Sequence, residues 1–423
     1  MYGFHLKLFI CLIFLECMKK FICFLTAVLF LLPSSIKADD SNASDKISEI
    51  IQKVNEEDLY NYVKTIQDFG PHETGSQECE AVGEYIFNEF KSYGLEVKYD
   101  EWENGKIKGK NVVATLDGKS NATVIICAHY DSADNTPGAD DDGSGVSVVL
   151  MASRILCQYD FNNTIKFITF SGEEDGCLGS KHYAREAYNA GENIIAVLNL
   201  DCVGYATSKE GGNKVSILAG ETSKWITDTS EEICDEYNNL INLEISRYPN
   251  RPYSDHQSFL DYGYEAIFYF EYEWSSYYNS ADDTIEHINA SYLAKVCRLG
   301  IATLAKLADA HFDPIIKIIS PERGSLYVAG RKIFSLPNAN TIVFGKIYAK
   351  VEITSDKEIN RVEYYFDGEL DHIEKEEPYE HVYDNIAFFS HSIKAMVYTS
   401  DGKSDMNKIY VKVFNIFREP LPH

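Results

Sequence analysis

Basic residues are scarce in this chain: 39 Lys and Arg stand against 65 Asp and Glu in 423 residues, a formal charge of −26. That deficit excludes nucleic acid and anionic membrane surfaces as partners, because both need a basic face. A run of bilayer length is also missing near the N-terminus. The apolar stretch Phe21–Leu32 falls short of the ~20 residues a spanning helix needs. The cysteines lack paired spacing. Three of the ten lie at Cys11, Cys17 and Cys23, and the other seven are scattered. This excludes a disulfide framework or a CxxC metal motif and leaves buried thiols as the expectation. Ser171, in Phe-Ser-Gly, lacks the first glycine of GxSxG, which excludes a nucleophile elbow there. There is no internal repeat and no low-complexity segment.

What is present begins with a leader. Met18-Lys19-Lys20, the apolar Phe21–Leu32 and the small-residue stretch Pro33–Ala38 read as a secretory signal, with translation starting at Met18. The expected organisation is a signal peptide over 1–38, an enzyme domain over 39–312 and a β-sandwich over 313–423. The expected location is secreted or at the cell surface. Asp39–Asp45 is expected to be a polar, mobile start, and Ile47–Ile66 has helical spacing. Beyond Gly94, short apolar runs alternate with helical patterns: Thr123–Ala128, Val146–Leu156, Thr164–Phe170, Leu178–Ala190 and Ile194–Leu200. This predicts an α/β fold, a central mostly parallel mixed sheet with helices on both faces. After Pro314 the helical period disappears and β-rich runs take over, among them Ile342–Ile353, Arg361–Asp367 and His391–Tyr398.

Ala128–Gly145 (AHYDSADNTPGADDDGSG) organises the rest. His129 ends a strand, Asp131 follows, and three adjacent aspartates sit in a glycine-flanked loop before a helix. Imidazole nitrogen and carboxylate oxygen are zinc ligand types. Three neighbouring carboxylates repel one another unless a cation lies among them. Two further strand ends deliver acids: Glu173-Glu174 after Thr164–Phe170, and Asp201 after Ile194–Leu200. Adjacent glutamates at a strand end diverge, so one can bind metal while the other serves as general base. His129, one of Asp140, Asp141 and Asp142, Glu174 and Asp201 suit a two-metal site, with Asp131 fixing the tautomer of His129. Spacing does not choose among the three aspartates.

These segments, followed by SGEEDGCLGS, NLDCVG, SDHQSF and YYNSADDTIEHIN in that order, resemble the M28 zinc peptidases over about Gln77–Ala310. That family includes leucine-type aminopeptidases and glutamate carboxypeptidase relatives. The resemblance implies His129 and Asp201 on one zinc, Asp141 bridging, Glu174 on a second zinc and Glu173 as general base. It also implies a cis Asp141–Asp142 peptide. It departs from the family at Asn279, which stands where a histidine ligand is expected, so the second of two zinc sites is expected to be weak or empty. His256 is the candidate replacement ligand. Asp283 and Glu286 read as a capping box for the next helix. The expected activity is that of a zinc exopeptidase, an aminopeptidase acting on peptides with a free N-terminus. The alternatives are a peptidase-like binding protein and a one-zinc acyl transferase like the glutaminyl cyclases. His72, His182, His287 and His311 are expected to be surface or capping residues. Arg361–Gly368 with Glu377-Pro378-Tyr379 resembles bacterial Ig-like modules, which implies an attachment or spacing role.

Overall fold

Asn55 divides the first helical pattern. The computed structural model describes residues 40–416 apart from 121, 249–252, 337–339 and 385, so the expected leader lies outside it. Asp40–Gln52 (α1) is helical, so the polar start expected over Asp39–Asp45 enters a helix at Asp40. The single helix expected over Ile47–Ile66 is two helices. Asn55 has extended backbone, and its side chain accepts from the Asp58 amide at 3.1 Å, capping Glu56–Gln67 (α2). A short amide side chain competes with helix continuation in this way.

The α/β part is built on eight strands: β1 (Glu96–Asn104), β2 (Ile107–Leu116), β3 (Thr123–His129), β4 (Thr164–Phe170), β5 (Ile194–Leu200), β6 (Lys214–Ala219), β7 (Glu244–Arg247) and β8 (Ala266–Glu271). They form one mixed sheet in the order β1-β2-β4-β3-β5-β8-β6-β7. The middle four run parallel. Strand β3 is buried along its whole length, as its unbroken apolar run requires when helices cover both faces. The short strand β7 follows no clear sequence alternation and was not expected. Its residues are half-exposed at the sheet edge.

The helices include Gln77–Ser92 (α3), Gly143–Leu156 (α4), Leu178–Asn189 (α5), Lys224–Glu236 (α6), His256–Asp261 (α7) and Ala290–Asp309 (α8). In α4 every residue but Arg154 is buried, which fits a helix apolar all round. Leu150 there is fully buried, so its truncation to alanine should cost ~2–5 kcal/mol. Parallel β3, β4, β5 and β8 bring their C-terminal ends to one edge of the sheet, where ligands bind in such folds.

Residues 315–415 form two β-sheets, of seven and three strands. Ile316, Tyr364, Ile393 and Val411 contribute to their shared apolar core. The expected run Ile342–Ile353 is two strands, Thr341–Phe344 and Ile347–Thr354, placed in different sheets. Gly345, with φ 99°, makes the turn between them. The β-rich part meets the α/β part through polar contacts. Glu221 accepts from Lys408 Nζ at 2.8 Å and from Tyr410 Oη at 2.9 Å. The Tyr188 hydroxyl accepts from the Arg323 amide at 2.8 Å.

Candidate metal centre

Each central strand hands at least one acid or imidazole to the same edge. His129 is the last residue of β3 and pairs in register with Phe170, the last of β4. Glu173 and Glu174 follow β4, Asp201 follows β5, and Glu271 closes β8. His129 Nε2 lies 3.1 Å from Asp141 Oδ1 and 3.7 Å from Asp201 Oδ1. These three buried groups converge as metal ligands would. Burial opposes a charged imidazole, but Asp201 and the hydrogen bonds of Asp131 and Asp141 push His129 well above its ordinary value. Burial likewise opposes a charged Asp201, yet His129 and Ser254 hold it below the usual carboxylate range.

The three aspartates divide their work, which spacing could not foresee. Asp142 caps α4 through Gly145 N at 2.9 Å and accepts from His129 N at 3.2 Å. Asp140 accepts from Gly204 N at 2.8 Å. Burial pushes its carboxyl up to about 6. Of the three, Asp141 faces the imidazole ring of His129. The Asp141–Asp142 peptide is cis, as expected.

Asp283 was expected to cap a helix. Its carboxylate instead accepts from Asp140 N at 2.9 Å and Asp141 N at 3.1 Å, so it fixes the aspartate loop. The cap of α8 is Asn289, which accepts from Tyr292 N at 3.1 Å. The capping-box pattern misleads because two backbone amides from a distant loop compete for the same carboxylate.

Asp131 orients His129 through its carbonyl oxygen, 3.0 Å from Nδ1, while its carboxylate stands 3.7 Å away. That carboxylate accepts from Thr74 Oγ1 at 2.9 Å, Glu173 N at 3.2 Å and Glu174 N at 3.3 Å. It therefore holds the glutamate pair as well as the histidine. The two glutamates diverge. Glu173 accepts from Cys177 Sγ at 3.3 Å, and burial raises its carboxyl well above the ordinary value. Glu174 turns toward Asp141 and Asn279, and burial with the charge of Asp141 pushes it up to about 8.

His256 stays apart from the cluster. It stacks on Phe268, 5.1 Å between ring centres, and burial pushes its imidazole down to about 4. His72, expected at the surface, is buried, with Nδ1 2.6 Å from Gly70 O. Its amide donates to Ser132 Oγ at 2.9 Å, which ties the loop 70–75 to the segment after β3.

Ser254 and Glu271 were missed by sequence reasoning. Ser254 Oγ donates to Asp201 Oδ2 at 2.7 Å and accepts from Asn199 Nδ2 at 2.8 Å. Glu271 accepts from Ser275 N at 2.8 Å and Tyr205 N at 3.2 Å. The rule that selected Asp201, an acid at the C-terminal end of a central strand, would have selected Glu271 too. The seven cysteines among the described residues are free, and all but Cys157 are buried.

An imidazole and two carboxylates, buried at the C-terminal edge of a mixed sheet beside a glutamate pair, are the donor types and surroundings that a metal-dependent hydrolase site requires. Residues 111–304 match the family described as Peptidase family M28. A relative described as leucine aminopeptidase 1 of Neurospora crassa is 28% identical over 295 residues, covering 64% of this chain and 73% of the relative. Among solved structures, the Legionella pneumophila LapA aminopeptidase superposes with TM-score 0.58 at 20% identity, covering 63% of this chain and 76% of that one. A zinc aminopeptidase of Bacillus subtilis superposes with TM-score 0.55 at 16% identity, covering 60% and 96%. At these identities the structural likeness speaks for the fold.

Proposed function

We propose that the chain is an exported zinc-dependent aminopeptidase. The observation that carries this reading is the buried convergence of His129, Asp141 and Asp201 at the strand ends of an M28 domain. The donor set fits zinc: one imidazole nitrogen and two carboxylates, with the other imidazole nitrogen already held by Asp131. Zinc held there supplies Lewis acidity to a scissile carbonyl and to an attacking water.

The chain's own groups do the rest. Glu173, half-buried and free of a cationic partner in its hydrogen bonds, takes a proton from the water and returns it to the leaving amine. Asp131 keeps both His129 and the Glu173 backbone in place. Asp131 and Asp201 are both held below the usual carboxylate range, and with Glu173 and Glu174 beside them they give the site an acidic lining suited to the ammonium group of a peptide N-terminus. Aminoacyl-anilide hydrolysis by the zinc-loaded protein tests the reading. Glu173→Gln should lower kcat by ~10²–10⁴. Turnover at the parent rate in that variant would overturn it.

The signal pattern over 1–38 supports export. Among the described residues no helix is long and apolar enough to cross a membrane. We propose the peptidase part as 39–312 and residues 313–423 as an appended Ig-like module for attachment or spacing, a role suited to a β-fold with its own apolar core.

A further inference from the structure

Asp141 has two carboxylate oxygens, and they face different things. Oδ1 faces His129 Nε2. Oδ2 faces the side-chain amide of Asn279, as does Glu174 Oε1. In the orientation that satisfies the amide, its nitrogen lies 2.8 Å from Asp141 Oδ2 and 3.3 Å from Glu174 Oε1. An NH₂ group carries two donors, one for each oxygen. Two buried or half-buried carboxylates side by side need either a cation or donors between them. With the amide in that orientation, Asn279 supplies the donors.

The backbone supports the placement. Asn279 adopts φ 49°, a left-handed conformation that asparagine tolerates better than most residues. The loop bearing it is tied to the aspartate loop through Asp283. The convergent ligand set among the described residues at this edge contains His129, Asp141 and Asp201, without Glu174.

We propose that the centre holds a single metal ion, at His129, Asp141 and Asp201, and that the Asn279 amide bridges Asp141 and Glu174 where a second ion would otherwise sit. This rests on the metal-site reading above and deepens it. Glu174 then acts as a positioning residue that steadies Asp141 through the amide. The amide cannot lose a proton to become an anionic ligand, so raising the metal concentration does not readily displace it. With its oxygen turned inward instead, Asn279 would be a weak neutral ligand and a second ion would enter.

Metal counting distinguishes these arrangements and is independent of turnover. Parent protein, Asn279→His and Asn279→Asp are equilibrated with zinc, desalted and analysed for metal per chain, with calorimetric titration of the zinc-free forms. The expected result is about one equivalent in the parent and about two in each variant, since either substitution replaces the donor with a metal ligand. Asn279→Asp, nearly the same shape, serves if the histidine variant does not fold. Two equivalents of similar affinity in the parent overturn the inference while leaving the metal-site reading intact. One equivalent in parent and both variants also overturns it, because residue 279 then does not control the second position. No retained metal in any form overturns the underlying reading as well.

Discussion

Among the described residues two groupings of one histidine with two aspartates occur, and they differ in everything but composition. His129, Asp141 and Asp201 are buried; His311, Asp313 and Asp356 lie in exposed segments where the α/β part ends and the β-rich part begins. The His129 and Asp141 side chains are 1% and 4% exposed, while those of His311 and Asp356 are 70% and 79% exposed. Every member of the buried group has a second partner. Asp131 holds His129, Asp283 holds the Asp141 amide, and Ser254 holds Asp201. In the exposed group, Asp313 accepts from the Asp356 amide at 3.1 Å, and water screens the rest. Ligand types alone do not make a centre; the outer ring of hydrogen bonds that fixes them does.

That contrast can be broken at several points. The largest effect is expected from His129→Ala, which removes the sole imidazole of the buried group. Zinc affinity should fall by more than ~100-fold, read by competition with a chromophoric chelator. Ser254→Ala leaves the ligands in place and removes one outer hydrogen bond. A loss of ~10-fold is expected in the same assay, and an unchanged affinity would mean that the outer ring does not set the strength of the site.

Glu265 tests burial of an acid without a metal. It accepts from Trp225 Nε1, and burial pushes its carboxyl up to about 8, with Asp405 adding to the shift. A carboxyl raised in the folded state binds its proton more tightly there than in the unfolded chain, so stability falls as pH rises from its ordinary value of about 4.5 through about 8. Glu265→Gln removes that loss. Relative to the parent, the variant should gain on the order of 2 kcal/mol between pH 5 and 9 in urea unfolding, after discounting for partial exposure. A constant difference across that range would contradict the shift. The smallest effect is expected from His311→Ala with Asp356→Asn: a change in stability below ~0.5 kcal/mol and no change in retained zinc.

Local chemistry explains which parts of this arrangement were legible in the sequence. The parallel strands were readable because burial on both faces demands unbroken apolar runs, as in Thr123–His129. The strand-end rule then placed His129, Glu173, Glu174 and Asp201 on one edge. Contacts between distant segments were not readable. Asp283 looks like a helix cap in sequence, and its real partners are amides more than 140 residues away. Asp140 and Asp142 are indistinguishable from Asp141 until Gly204, Gly145 and His129 claim them. The break at Asn55 was missed for a different reason. The apolar period continues across it, and one capping side chain decides the outcome.

The grip of Asp283 on the amides of Asp140 and Asp141 has a consequence for how this centre can change over generations. The segment carrying residue 279 and the segment carrying Asp141 are held as one piece by a carboxylate that takes no part in binding metal. A codon change at 279 therefore swaps a side chain in a fixed socket instead of rebuilding a loop. Histidine, aspartate and asparagine become interchangeable inserts, and the number of ions in the centre can drift by single steps while the fold that carries it stays the same.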